Sequence, residues 1–327
     1  MTDLNPAEPV LSWQPSATLD VLRARAAMNT AIRNFFALRT VLEVETPVLS
    51  RYATVDRHID SFRTHTGAWL QTSPEFAMKR LLAAGSGPIY QIARVFRRDE
   101  QGRHHNPEFT LLEWYRPGFD HHALMDEVEA LLQQCVSTAL HCERLSYQDA
   151  FQRHAGFDPL ALDAKALEAR ARDTGMGIPE SLTAAERGDV DLWLDLWMSA
   201  VVGPQLGQQT PTFIYDFPAS QAALSRVRPG TPPLAERFEL FWRGVELANG
   251  FHELTDAAEQ QRRFEADQAW RRDNGREVPP FDQALIGALS QGLPPCAGVA
   301  LGLDRVLALH LGLPTVAAAI AFSSDRA

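Results

Sequence analysis

Residues 89–116 read IYQIARVFRRDEQGRHHNPEFTLLEWYR. Two runs of strand-forming residues, Ile89–Arg97 and Glu108–Arg116, flank the polar segment Arg98–Pro107, the pattern of a long antiparallel hairpin with an extended loop. Side chains alternate across a strand, so Phe109, Leu111, Glu113 and Tyr115 share one face. A solvated turn accommodates the loop charges Asp99, Glu100, Arg103, His104 and His105 in any ordinary sheet. A half-buried Glu113 is harder to accommodate: it costs several kcal/mol unless a cation faces it, from a ligand or from an internal arginine. Arg97, just before the loop, carries the planar fork that donates to two phosphate oxygens. Phe109 offers a ring on which a base stacks.

Upstream, Thr18 caps a helix over residues 18–39, with apolar spacing at Leu19, Leu22, Ala26, Ile32, Phe35 and Phe36. Val41–Glu45 alternates like a short strand, which Pro47 stops. Ser73-Pro74-Glu75 has the cap, first-turn proline and dipole-facing acid of a helix start, and that helix runs to about Ala84. Downstream, a helix spans Leu124–Leu140. Residues 142–210 hold short helical patterns broken by Gly and Pro, and read as a small helical insertion. Strands return at Pro211–Phe217 and Phe238–Glu253, a charged helix covers Thr255–Asp273, and the strand Gly298–Leu303 feeds a helix from Asp304. Strands cluster with hairpin connections instead of alternating with helices. The expectation is one α+β domain over residues 1–327, an antiparallel β-sheet flanked by helices.

Two further segments carry chemistry. Glu246-Leu-Ala-Asn-Gly-Phe-His-Glu253 contains Asn249-Gly250, a strong signal for a two-residue turn, which would pair Glu246 with Glu253. Like charges directly opposite destabilise a sheet, so these carboxylates either point to water or share a divalent cation with oxygen ligands. Mg²⁺ suits them better than a transition metal, because no His/Cys cluster has metal-ligand spacing. The pairs His104-His105 and His121-His122 read as surface histidines. Gly298-Val-Ala-Leu-Gly-Leu-Asp-Arg305 runs from an apolar strand into a helix. Its small residues at 298, 300 and 302 leave one face open, for a ligand or for close packing. Arg305 then places a cation at a helix start that already attracts anions. The GxGxxG spacing of a Rossmann fold is absent.

Composition bounds the partners. Hydrophobic content of 45% and charged content of 22% are ordinary for a globular protein. No run approaches the roughly 20 apolar residues that cross a bilayer, and Met1–Gln14 lacks the basic start and apolar run of a signal peptide. Cys135, Cys142 and Cys296 lack metal spacing and cannot all pair, which fits free thiols in a reducing cytoplasm. A net charge of −10 argues against a phosphate-covered partner and for a protein or small molecule.

In their order along the chain these segments resemble the three motifs of the class II aminoacyl-tRNA synthetases. The helix 18–39 with Val41-Leu-Glu-Val-Glu-Thr-Pro47 is similar to motif 1, which implies a homodimer. Phe96-Arg-Arg-Asp-Glu100 through His105-Asn-Pro-Glu-Phe109 is similar to motif 2, and Gly302-Leu-Asp-Arg305 to motif 3. Thr72-Ser-Pro-Glu75, Glu113, Tyr115 and the segment 246–253 look like the lysine branch. The resemblance implies ATP and Mg²⁺ as cofactors, with Arg97 and Arg305 as catalytic arginines. Arg97 takes the α-phosphate, Phe109 stacks on adenine, and His105 and Arg305 approach the outer phosphates. Asn106, Leu247 and Gly302 lie against ATP, as does Asp99, where the family usually has glutamate. Glu246 and Glu253 stand for the metal carboxylates. Ser73 and Glu75 hold the amino acid's reacting end, Glu113 and Tyr115 its distal ammonium, with Glu253 and Ala300 also on the substrate side.

Motif 1 begins almost at the first residue, so no anticodon-binding domain is expected, and Ala300 stands where the lysyl enzymes have glycine. Both features, with the stretch 244–256 and Ile320-Ala-Phe-Ser-Ser-Asp-Arg-Ala327, resemble the bacterial elongation factor P–(R)-β-lysine ligase family. That resemblance implies activation of (R)-β-lysine or lysine as its adenylate, then transfer to a lysine ε-amine of elongation factor P. Two rivals stand beside it. A tRNA-charging enzyme without an anticodon domain is disfavoured by the acidic composition. A non-catalytic binding paralogue is disfavoured by the presence of Arg97, Arg305, Glu246 and Glu253, and supported only by Asp99.

Overall fold

Thr18 caps α1 (Leu19–Ala37): its hydroxyl accepts from the Val21 amide, and Val21, Met28, Ile32, Phe35 and Phe36 make the buried stripe. The computed structural model describes residues 13–136 and 140–327; residues 1–12 and the last turn of the helix expected over Leu124–Leu140 lie outside the described residues. Three two-residue strands follow, β1 (Leu42–Glu43), β2 (Leu49–Ser50) and β3 (Trp69–Leu70), then α2 (Glu75–Ala83). The hairpin forms as β4 (Ile89–Phe96) and β5 (Glu108–Pro117), in unbroken register from Ile89 opposite Tyr115 to Phe96 opposite Glu108. Then come α3 (His121–Val136), β6 (Glu143–Ser146), α4 (Tyr147–His154), α5 (Ala164–Asp173), α6 (Ala184–Arg187) and α7 (Val190–Trp197). These short helices gather around an apolar cluster of their own that includes Tyr147, Phe151, Leu167, Trp193 and Trp197. The chain closes with β7 (Thr212–Pro218), β8 (Val227–Arg228), β9 (Leu234–Trp242), β10 (Val245–His252), α8 (Ala257–Asp273), α9 (Gln283–Gly292), β11 (Cys296–Gly302) and α10 (Leu303–His310).

Among the described residues nine strands form one sheet in the order β1-β4-β5-β11-β10-β9-β7-β6, with β8 beside β9. From β4 to β7 every neighbour is antiparallel, and only the edges β1 and β6 pair in parallel. This is the antiparallel α+β architecture expected from the clustered strands. One face buries Leu112, Trp114, Phe238, Leu240, Val299 and Leu301 under α1, α3 and α10. The other face carries Glu113, Tyr115, Arg237, Glu239, Asn249 and Ala300, and floors a cleft of about 1080 Å³.

Three expectations need correction. Asn249-Gly250 is not a turn: β10 runs straight through it, paired with β9 on one side and β11 on the other. Arg243 and Gly244 make the turn instead, both left-handed at φ 51° and 74°, the backbone that a two-residue hairpin of matching twist requires. Gly250 answers to packing, since a Cβ there would lie 2.4 Å from Cζ of Phe238. Glu246 and Glu253 are therefore not opposite each other but near the two ends of one strand, roughly 20 Å apart by strand rise. Their expected pairing around one ion fails on that distance. A β-bulge then decides where Glu246 points. The register with β9 slips between Glu246 and Ala248. An odd spacing would otherwise put Glu246 and Glu253 on opposite faces; with the extra residue both join Asn249 and Phe251 in the cleft. Finally, His121 is not a surface histidine: the start of α3 packs it to 2% exposure.

Candidate active site

Three carboxylates gather at one end of the cleft, Glu113 and Glu253 buried and Glu75 partly so. Glu113 accepts hydrogen bonds from Tyr115 Oη and from Ser73 Oγ, each at 2.7 Å, and is 2% exposed. Ser73 Oγ in turn accepts from the Glu75 amide at 3.0 Å, so the same hydroxyl that begins α2 also fixes Glu113. One helical turn on, Lys79 Nζ lies 2.7 Å from Glu75 Oε1 and 2.6 Å from Glu253 Oε2. Burial alone lowers the pKa of the Lys79 ammonium, but Glu253 and Glu75 reverse this and hold it raised. Burial, and then the charge of Glu75, push the Glu113 carboxyl up to about 7 against the hydrogen bonds from Tyr115 and Ser73. Burial likewise pushes Glu253 up to about 8, with Lys79 opposing. A single ammonium among three carboxylates leaves an excess of acid, and an added cation relieves it.

Gly298 shapes this end. A Cβ on it would sit 2.3 Å from Cε1 of Tyr115 and 2.5 Å from Oε1 of Glu253, so the missing side chain is the space those two groups occupy. At Gly302 the neighbours of such a Cβ are at ordinary contact distance, 3.6 Å or more.

Arginines line the other end. Arg97 Nη1 lies 3.5 Å from Glu100 Oε1, its guanidinium is 5.2 Å from the Phe109 ring centroid, and its buried Nε has no hydrogen-bond partner. Arg305, in the first turn of α10, donates to the carbonyls of His104 and Glu246 at 3.1 and 2.8 Å. Beside it, Asp304 accepts from the Thr110 amide at 2.8 Å and pairs with Arg25, which ties α10 to β5 and α1. Burial and the Arg305 charge hold His105 below the usual imidazole range, hence neutral at pH 7. Asn106 donates to the Glu108 carbonyl at 2.6 Å and accepts from the Ser324 amide at 3.2 Å, which fastens the chain's C-terminal segment to the loop.

A second acidic pair lies between the two ends. Burial, and then the charge of Glu246, push Glu239 up to about 7 despite Arg237 beside it. A buried carboxylate raised in this way beside a second one suits a hard divalent cation with oxygen ligands. Glu239 and Glu246 thus fit Mg²⁺, whereas Glu253 is already held by Lys79.

A cleft with a cation pocket at one end and paired arginines at the other is the arrangement expected of an amino-acid-activating enzyme. Comparison with known proteins agrees. The family model for class II tRNA synthetases (D, K and N) matches residues 2–326. The chain belongs to that family. Among curated relatives, the elongation factor P–(R)-beta-lysine ligases of Salmonella paratyphi A, Salmonella dublin and Salmonella agona are each 50% identical over 325 residues, 97% of this chain and 98% of theirs. The resemblance read from the motifs is borne out at both levels.

In this class II synthetase fold the cleft lining includes Ser73, Glu75, Arg97, His105, Asn106, Phe109, Glu113 and Tyr115 from the first half of the chain. From the second half it includes Glu246, Leu247, Glu253, Ala300, Gly302 and Arg305. Asp99 is the exception. It turns out of the cleft at φ 65° with its side chain 80% exposed, beside Arg98 at 3.4 Å, and Glu100 lines the cleft instead. Sequence reasoning missed Lys79, Arg237 and Glu239. Lys79 was readable from its i,i+4 spacing to Glu75 on a helix. Arg237 and Glu239 were readable as charged residues alternating with Phe238 and Leu240 along one strand.

Proposed function

We propose that this chain is an ATP-dependent, AMP-forming ligase. It activates a lysine-like amino acid, with (R)-β-lysine preferred, and transfers it to a lysine ε-amine on elongation factor P. The observation that carries the reading is the cluster of Glu75, Glu113 and Glu253, in which Lys79 pairs with Glu75 and Glu253, sharing one cleft with Arg97, Phe109 and Arg305. The first property selects a substrate with ammonium groups, and the second a nucleotide beside its carboxylate.

In the first half-reaction a carboxylate oxygen of the amino acid attacks the α-phosphorus of ATP and the bond to pyrophosphate breaks. Arg97 offsets charge on the transferring group, and Arg305 holds the departing phosphates. Glu239 and Glu246 would hold Mg²⁺, which would further neutralise the phosphates. In the second half-reaction the acceptor ε-amine attacks the carbonyl carbon, the bond to AMP breaks, and the amide forms as the amine gives up its proton. Neither step demands a strong base, and rigid placement of the two substrates supplies much of the acceleration. Glu113 and Tyr115 receive the distal ammonium, and Ser73 with Glu75 holds the reacting end.

Ala300 pairs with Glu113 across one side of β11 and with Asn249 across the other, so its methyl lies in the floor between the cation pocket and the metal carboxylates. A β-amino acid sets its amine one carbon further from the carboxylate, and one methyl discriminates by about 1–3 kcal/mol. Ala300→Gly therefore narrows the preference for (R)-β-lysine over lysine in ATP–pyrophosphate exchange; an unchanged ratio contradicts this role.

We further propose a homodimer formed along the β1 edge, where Leu42 is exposed and Leu38 at the end of α1 is exposed just before it, and a cytoplasmic location, which the three unpaired cysteines favour. Among the described residues no helix is long and apolar enough to cross a membrane. The deciding experiment for the acceptor is mass spectrometry of elongation factor P after incubation with the chain, ATP and (R)-β-lysine. The expected result is the mass gain of one β-lysyl group. No gain, with label appearing on bulk tRNA instead, supports the tRNA-charging rival.

A further inference from the structure

Behind the cleft, on the opposite face of the sheet, three side chains converge from three elements: His121 from the start of α3, Glu236 from β9 and His252 from the end of β10. One ligand atom from each lies within 4.8 Å of the other two. His252 Nδ1 is 2.8 Å from Glu236 Oε2. His121 is almost wholly buried, yet neither of its ring nitrogens has a well-formed hydrogen bond; the nearest acceptor is Asp216 Oδ1 at 3.5 Å. His252 Nδ1, Glu236 Oε2 and Asp216 Oδ1 are also buried outside any well-formed hydrogen bond, although His252 Nδ1 and Arg226 Nε make ion-pair contacts with Glu236 Oε2. Buried polar atoms are ordinarily satisfied, so the unpartnered His121 ring beside Glu236 and His252 calls for a shared partner.

The geometry points to a site for a divalent transition metal of the zinc class, bound by His121, Glu236 and His252. Two imidazoles and a carboxylate suit Zn²⁺ and its neighbours, whereas Mg²⁺ and Ca²⁺ take oxygen ligands. Ligands on a tetrahedral ion stand a few ångströms apart, which the observed spacing approaches with small side-chain rotations. Asp216, whose Oδ2 pairs with Arg228 at 2.7 Å, leaves Oδ1 3.5 Å from His121 Nε2, where it orients that ring. Two arginines compete for the site: Arg226 Nε lies 3.0 Å from Glu236 Oε2, and Arg228 Nη1 3.9 Å from Oε1. Arg226 is half exposed and swings to solvent as the ion enters. The site is independent of the nucleotide reading, because all three ligands lie on the face turned away from the cleft.

The test uses the chelator-treated full chain and Zn²⁺ alone, by calorimetry, with Co²⁺ absorption reporting coordination. One equivalent is expected to bind. Affinity falls at least tenfold in both His121→Ala and His252→Ala, and is unchanged when Cys135, Cys142 and Cys296 are all replaced by serine. Because either histidine variant can fail to fold, ring signals of the ten histidines in the wild-type chain provide a second readout. Zn²⁺ should shift those of His121 and His252 first. Absence of saturable binding, binding that persists in folded His121→Ala, or first shifts at other histidines would each overturn the site.

Discussion

Glu113 gives the site its pH signature. Its carboxyl titrates at about 7 because burial and Glu75 raise it, and only its ionised form pairs with an incoming ammonium. Amino-acid binding at pH 7 therefore expels a proton. KM for the amino acid should fall as pH rises from about 6 to about 8, and Glu113→Gln should flatten that dependence. Stability runs the other way. The unfolded carboxyl titrates near 4.5 while the folded one keeps its proton to about 7, so the ligand-free protein loses stability as pH rises through that window. Thermal unfolding across the same range, with and without lysine, checks both signs. Gly298 permits a sharper prediction. A methyl there collides with Tyr115 and Glu253, so Gly298→Ala should raise KM for the amino acid by about tenfold or more and leave KM for ATP within about twofold. Exchange kinetics separate the two constants; an equal rise in both contradicts the assignment of Gly298 to the amino-acid end.

At the scale of elements, Asp304 is the joint that sets α10 against β5 and α1, through the Thr110 amide and Arg25. Arg25 is largely buried, so Asp304→Ala strands its charge and should cost about 3–5 kcal/mol in denaturant unfolding. A loss below about 1 kcal/mol contradicts this role. The elements themselves were legible where one local rule dominated. The 89–116 hairpin showed in its alternation, α1 in its cap and apolar stripe, and the β11–α10 join in its small residues followed by Asp304-Arg305. Legibility ended where a distant contact outweighed the local rule. Asn249-Gly250 carries the composition of a turn, yet Phe238 from the neighbouring strand needs the space above Gly250, and Arg243-Gly244 turns the chain instead. The bulge at Leu247 cannot be seen along one strand, since it exists only as a slip against β9. For the same reason the acidic pair proposed for Mg²⁺ was only half legible: Glu246 was named, but Glu239 lies on the adjacent strand. Asp99 followed its family position in the sequence reading and its own left-handed backbone in the fold.

For the whole molecule, the proposed homodimer would cover the β1 edge of the sheet. Leu42, 56% exposed on that edge, is the residue to change. Leu42→Lys should shift the particle from dimer to monomer by light scattering without unfolding it, and an unchanged mass contradicts the proposed interface. The proposed reading sets an amino-acid pocket, a metal pair and a nucleotide end in sequence along one cleft, on the sheet face that α1, α3 and α10 leave free. Its central claim is that this cleft joins a lysine-like amino acid to the α-phosphate of ATP. ATP–pyrophosphate exchange with the purified chain tests it most directly. Exchange should require Mg²⁺ and either lysine or (R)-β-lysine, remain at background with glutamate or leucine, and fall by about a hundredfold or more in Arg97→Ala. Exchange that is absent with both lysines, or that survives Arg97→Ala at full rate, would contradict the account.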